Sequence, residues 1–222
     1  MALLSPETGK IFMNRNIILT FVMLQSCAAV DFREYPAVTK AVLFGVSETP
    51  ITKKFYNESK YSFAQVKIGR FKKSILVLAS INNDLYLWVG PDGEKIYTVN
   101  GKIVKTYGLD HDVKLIKGTN FNFLKKTHSH SSLIKLDSPP ALVTINYEII
   151  AGAEASYTLN ANLDSEQAVN GQLIRYVESF SAERYRWIGN NVYWVDLDGR
   201  VVRSVQSFHP FEKDIEMTFY YK

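Results

Sequence analysis

The sequence predicts a mainly β fold, an antiparallel meander forming a barrel-like or strongly curved sheet with one short N-terminal helix. Three observations lead there. Aromatic residues are frequent, 13 Tyr and 13 Phe among them, in a chain rich in Val and Ile, and these side chains fit a pleated, half-buried surface. From about residue 61 the chain runs in short apolar stretches separated by turn residues. No repeat of fixed period is visible, which argues against a propeller or solenoid and for a meander that closes into a barrel or stacks as a sandwich.

The elements follow in order. Residues 35–48, YPAVTKAVLFGVSE, carry Val38, Ala41, Val42 and Phe44 as an apolar face with Pro36 at a helix start; this is the short amphipathic helix. Residues 74–81, SILVLASI, read as a nearly continuous apolar strand with Asn82-Asn83-Asp84 as its turn. Residues 85–89, LYLWV, pair with it and end at Gly90-Pro91-Asp92-Gly93. Residues 95–106, KIYTVNGKIVKT, give the clearest local signal. There Asn100-Gly101 lies between two β-rich runs and supplies the positive φ values of a two-residue type I′ hairpin. Residues 142–149 and 155–163 read as two strands around Ala151-Gly152, and residues 164–183 carry the least pattern. Residues 184–208 read as three strands with turns at Gly189 to Asn191 and at Asp198-Gly199. A terminal strand over 215–221 alternates Ile215, Met217 and Phe219 on one face.

With 46% hydrophobic and 22% charged residues, the chain is expected to bury a real core, and 222 residues suffice for one large domain or two small ones. The formal net charge of +4 is spread without long basic blocks, so no nucleic-acid partner is expected. The one cysteine, Cys27, cannot form an internal disulfide, and an exported domain of this size can manage without one.

That cysteine ends an apolar run. From Met13 the order is Met-Asn-Arg-Asn, then Ile17 to Leu24, then Gln25-Ser26-Cys27, a short basic region, an apolar stretch and a small residue before a cut. The stretch is too short to span a bilayer, which takes about 20 apolar residues. Residues 1–12 fit a basic leader poorly because of Glu7; translation from Met13 and an extended leader both remain open. Leu24-Gln25-Ser26-Cys27 resembles a bacterial lipobox, departing from it at Gln25. The resemblance implies a leader over 1–26 and lipid attachment at Cys27; with the strand pattern above, the expected organisation continues as a tether over 27–34 and a single β-rich domain over 35–222. Ala28 rather than Asp after the cysteine implies, in enteric-type bacteria, transfer to the outer membrane.

Few residues suggest chemistry. His128 and His130 stand two apart, as same-face metal ligands on a strand would, but two ligands are not a site, and KKTHSHSS reads better as a surface loop. Asp196-Leu197-Asp198-Gly199 resembles the start of a calcium loop, yet Arg200 to Arg203 follow where acids are needed, so it reads as a hairpin turn. No nucleophile elbow, P-loop or dinucleotide fingerprint occurs. Asp84, Asp92, Glu94 and Asp110 could pair as a glycosidase dyad only if the fold brings them together. Tyr86, Trp88, Tyr193 and Trp194 could form a sugar-stacking platform, although alternation turns Tyr193 and Trp194 to opposite faces; β-core aromatics are the simpler reading. Tyr86, Trp88 and Trp194 are the candidate glycan or partner contacts. No catalytic, metal or cofactor residue is assigned.

Several stretches together resemble the group 4 capsule polysaccharide lipoprotein family, of the YjbF and GfcB type: Cys27 after its leader, the helix-like segment near 38–46, YSFAQVKIG (61–69), NGKIVKTYGL (100–109), YWVDLDGRVVRSVQ (193–206) and EMTF (216–219). The resemblance implies an outer-membrane lipoprotein with its domain facing the periplasm, without enzymatic activity or cofactor. It would act as an accessory factor in exopolysaccharide or capsule secretion or assembly. Its implied partners are the membrane through the lipid anchor, an outer-membrane β-barrel protein and a periplasmic protein of the same export system, and polysaccharide itself. Two other readings stand beside it: a β-barrel that carries a lipid or acyl chain in a cavity, and a glycan-modifying enzyme.

Overall fold

Alternation of apolar and polar side chains along successive strands closes a barrel of twelve antiparallel strands in a computed structural model that describes residues 51–118, 127–156 and 172–222. The strands are β1 (Phe63–Ile68), β2 (Ser74–Asn82), β3 (Leu85–Val89), β4 (Lys95–Val99), β5 (Lys102–Tyr107), β6 (Val113–Lys117), β7 (Thr127–Asp137), β8 (Pro140–Ser156), β9 (Gln172–Ala182), β10 (Trp187–Val195), β11 (Val201–Gln206) and β12 (Ile215–Tyr220). Each pairs with the next in the chain, and β1 pairs with both β2 and β12 to complete the ring. The predicted leader, Cys27 and the helix over 35–48 lie outside the described residues.

The β2–β3 and β4–β5 hairpins and the terminal strand stand where the sequence places them. Asn100 and Gly101 have φ of 47° and 75°, as a type I′ turn requires. Ile215, Met217 and Phe219 all point into the core beside Trp88, Ala64, Leu76 and Leu136. One short helix is described, α1 (Lys53–Glu58), capped where Thr52 Oγ1 accepts a hydrogen bond from Phe55 N at 3.2 Å. Phe55 and Tyr56 of α1 pack on Ile51, Phe63, Ile75 and Tyr220, so the helix covers the outer side of the seam where first and last strands meet.

Three readings need correction. Gly189 to Asn191 is not a turn: β10 runs through it, pairing Gly189 with Phe180, Asn190 with Ser179 and Asn191 with Glu178. The residues are spent on packing, since a Cβ at Gly189 would stand 2.9 Å from the Phe180 ring, and the buried Asn191 amide bonds inward. The β9–β10 reversal falls instead at Tyr185 and Arg186, both with positive φ. Residues 142–149 and the start of the next predicted strand join into one 17-residue β8, with a register shift between Ala151 and Glu154 where a turn was expected. KKTHSHSS is not a surface loop from Thr127 onward, because β7 starts there and His130 pairs with Tyr147.

Candidate functional site

Inside the barrel, apolar strand faces carry an embedded polar cluster. Glu178 sits on the β9 face that also buries Tyr176, Phe180 and Ala182, and its carboxylate is fully enclosed. Lys102 Nζ donates to Oε1 at 2.7 Å, Asn191 Nδ2 donates to Oε2 at 2.7 Å, and the Tyr193 hydroxyl donates to Oε2 at 3.1 Å. The His130 ring stacks on Tyr147 at 4.9 Å, with Nε2 3.8 Å from Glu178 Oε1. Lys102 Nζ also lies 3.4 Å from the Tyr147 ring centroid, a cation–π contact strengthened by the dry surroundings. Burial pulls the Lys102 ammonium down to about 8 against the opposing pull of Glu178. Burial first, and then the Glu178 charge, hold the Tyr147 and Tyr193 phenols well above the ordinary tyrosine value.

Gln206 ties this cluster to the β4–β5 hairpin. Its Nε2 donates to Gly101 O at 2.8 Å and to Ser204 Oγ at 2.9 Å, while its Oε1 accepts from Ile103 N at 3.0 Å. One side-chain amide thus stands in for a strand neighbour. The cavity beside the cluster, lined by Lys102, Ser132, Asn191 and Gln206, holds about 30 Å³, room for about one water molecule. Nothing in the sequence spacing joins Lys102 to Glu178. The available signal was an acid at 178 in the alternation Tyr176, Glu178, Phe180, an apolar row that should not hold an unpaired charge.

A second concavity opens at one end of the barrel. A cleft of about 270 Å³ has Val66, Leu76, Ile96 and Phe208 among its apolar lining and Asp92, Glu94, Asp110, Glu212 and Lys72 among its charged lining. Three of the four acids named from sequence therefore do come together, and Asp84 lies in the turn at the other end of β2. Glu94 Oε2 accepts from its neighbour Asp92 N at 2.9 Å, and Glu212 Oε1 lies 2.9 Å from His111 Nδ1. The buried His209 ring stands 4.9 Å from that of His111; burial, and then His111, lower its pKa. Among the described residues, no group of three or more His, Cys, Asp or Glu is arranged to hold a metal ion.

The predicted aromatic contacts separate. Trp88 is fully buried with Nε1 donating to Thr98 Oγ1 at 2.9 Å, so it is a core residue without surface for a sugar. Tyr86 is half-buried and stacks on Trp88 at 6.2 Å. Tyr193 points inward as described, and Trp194 points outward, half-buried beneath the Arg203 guanidinium at 4.9 Å. No shared platform results. Asp196 Oδ1 accepts from Asp198 N and Arg200 N at 3.0 and 2.8 Å, which makes residues 196–199 the expected hairpin turn.

The family model described as "Group 4 capsule polysaccharide lipoprotein gfcB, YjbF" matches residues 37–220. The crystal structure of the hypothetical lipoprotein YmcC from Escherichia coli (K12) is similar in fold, with a TM-score of 0.65 at 20% identity, covering 83% of this chain and 94% of that one. No curated protein matches the chain.

Proposed function

Because this chain belongs to the group 4 capsule polysaccharide lipoprotein family, we propose that it is an outer-membrane lipoprotein anchored through Cys27, with its barrel facing the periplasm. It serves polysaccharide secretion or assembly by binding protein partners or glycan, without catalysis. The observation that supports binding at the surface is the filled interior. Trp88, Tyr193, Leu76, Ile96 and Leu136 are fully buried there, and the cavity at the polar cluster has room for about one water. A carrier of an acyl chain would need interior room that these side chains occupy, and the mouth cleft, about 270 Å³, falls just below the roughly 300 Å³ at which small-molecule pockets begin. A glycan-cleaving reading would have to work through the acids of that cleft, Asp92, Glu94, Asp110 and Glu212.

The outer wall supports a barrel that stands in water. Ser131, Lys135, Thr144, Asn146 and Glu148 are exposed while Ser132, Ile134, Val143, Ile145 and Tyr147 are buried, the reverse of the apolar band that a membrane-spanning barrel presents to lipid. Attachment then depends on acyl chains, and several hold a protein far better than one. Membrane fractionation followed by mass spectrometry tests this. Wild type should sediment with membranes at the mass of an acylated chain beginning at Cys27, and Cys27→Ser should release the protein and reduce polysaccharide export. Membrane-bound Cys27→Ser with normal export would overturn the anchoring.

A further inference from the structure

On the outer wall of β4 to β7, register places like charges side by side. Lys105 of β5 is directly opposite Lys114 of β6, and Lys114 is directly opposite Lys135 of β7. Directly paired residues of an antiparallel sheet share a face, and strands are about 4.8 Å apart, so three lysine stems rise from one row of adjacent strands across the barrel wall. Tyr97 continues the row on β4 and Leu142 ends it on β8. The Lys105 ammonium lies 4.7 Å from the Tyr97 ring centroid, and one row along Lys95 lies 5.4 Å from that of the exposed Tyr107.

This arrangement costs stability, because like charges directly opposite one another repel. Two arginines on another part of the wall are matched: Arg203 bonds Glu216 at 2.7 Å, and Arg200 bonds Asp196 and Asp198 at 3.1 and 2.8 Å. The paired row from Tyr97 to Leu142 contains no acid, and none of its three lysines forms an ion pair among the described residues. We propose that the Lys105–Lys114–Lys135 row, flanked by Tyr97 and Tyr107, is a docking surface for an anionic polysaccharide lying across the strands. Its carboxylates or phosphates would neutralise successive ammonium groups, and its sugar rings would lie against the tyrosines. A linear polyanion fits a continuous row of cations rooted on adjacent strands, and a tyrosine offers both a ring face and a hydroxyl. The inference rests on the polysaccharide role proposed above and names the charge class of the glycan.

The test is a binding titration of the full chain carrying Cys27→Ser with polygalacturonate, neutral dextran and phosphatidylglycerol vesicles. Polygalacturonate should bind and weaken as salt is added, and dextran should not bind. Lys105→Gln, Lys114→Gln and Lys135→Gln together should weaken polygalacturonate binding by about fivefold for each charge removed, the worth of one lysine beside an anionic surface. A control with Lys53, Lys73 and Lys213 changed to Gln has the same net charge and should bind as before. Lys→Arg at the three wall positions keeps the charge and should retain binding, which separates charge from folding. Equal loss in wall and control variants, equal binding of dextran, or a wall effect confined to the vesicles would each overturn the proposal. Failure here with the Cys27 outcomes intact would leave the accessory role standing and remove the anionic glycan.

Discussion

Lys102 and Glu178 show how one residue pair sets the pH response of the barrel. A buried pair gains strongly from its contact but loses the hydration of both charges, and the Lys102 value of about 8 against 10.5 in the unfolded chain means that burial wins. Below about pH 8 both states carry the proton, and folding bears the full cost of the buried ammonium. Between about 8 and 10.5 the unfolded chain binds more protons than the folded one, so stability rises with pH over this window. At roughly 1.4 kcal/mol per pKa unit the gain is up to about 3 kcal/mol. Tyr147 and Tyr193 act the other way: their phenols stay protonated in the fold after they would ionise in the unfolded chain, so stability falls above about pH 10. Urea unfolding from pH 7 to 11 should show the rise followed by the fall, and Lys102→Met should abolish the rise while keeping the fall. A Lys102→Met profile parallel to wild type between pH 8 and 10 would contradict the assignment.

At the level of elements, the β4–β5 hairpin unites turn chemistry with long-range packing. Asn100-Gly101 was legible because only a few residue pairs supply two positive φ values between β-rich runs. What the turn touches was not: a Cβ at Gly101 would stand 2.5 Å from Val201 Cβ across the barrel. Gly101→Ala should therefore cost the left-handed penalty of about 1–2 kcal/mol plus a steric cost of similar size. Gly93, with φ of 85° and open space around it, should cost only the first. Denaturation of both variants, and of Gly101→Ala with Val201→Gly measured against Val201→Gly alone, separates the two contributions; removing the Val201 side chain should recover part of the Gly101 loss and none of the Gly93 loss. The same logic explains the misread elements. Gly189 and Asn191 look like turn residues, yet Gly189 leaves room for the Phe180 ring and Asn191 serves Glu178 and the Ser207 amide. Composition reveals a residue's turn preference, and only the fold reveals a competing use for it. Of the candidate contacts, Trp88 is a core residue, as the simpler reading of β-strand aromatics has it, although alternation alone does not say which face of its strand is buried; the lysine row depends on register between strands that the sequence does not align.

Over the whole molecule, closure is the feature that makes the parts depend on each other. The ring is sealed by pairing Phe63–Ile68 with Tyr220–Ile215, residues about 150 positions apart, whereas the other joints link neighbours in the chain. A sealed ring removes the exposed strand edges that invite aggregation, but its last joint brings the largest loop-closure cost. The C-terminal segment supplies that joint and much else. Ile215, Met217 and Phe219 fill the core, Tyr220 stacks on Phe63 at 4.7 Å under α1, and the Tyr56 hydroxyl donates to Tyr221 O at 2.9 Å. Deleting residues 215–222 should therefore not trim the barrel to an eleven-stranded sheet. It would expose β1 and β11 as edges and strip the apolar floor beneath Trp88, which packs on Phe219 at 5.2 Å. The truncated chain should keep strand content by far-ultraviolet circular dichroism, lose its near-ultraviolet aromatic signal, bind a dye for exposed apolar surface and aggregate with concentration. Met217→Ala tests the same joint more gently, with an expected loss of about 2–5 kcal/mol, since a fully buried methionine is removed from a packed core. A truncated chain that unfolds cooperatively with the native aromatic signal would show that the remaining strands close without β12.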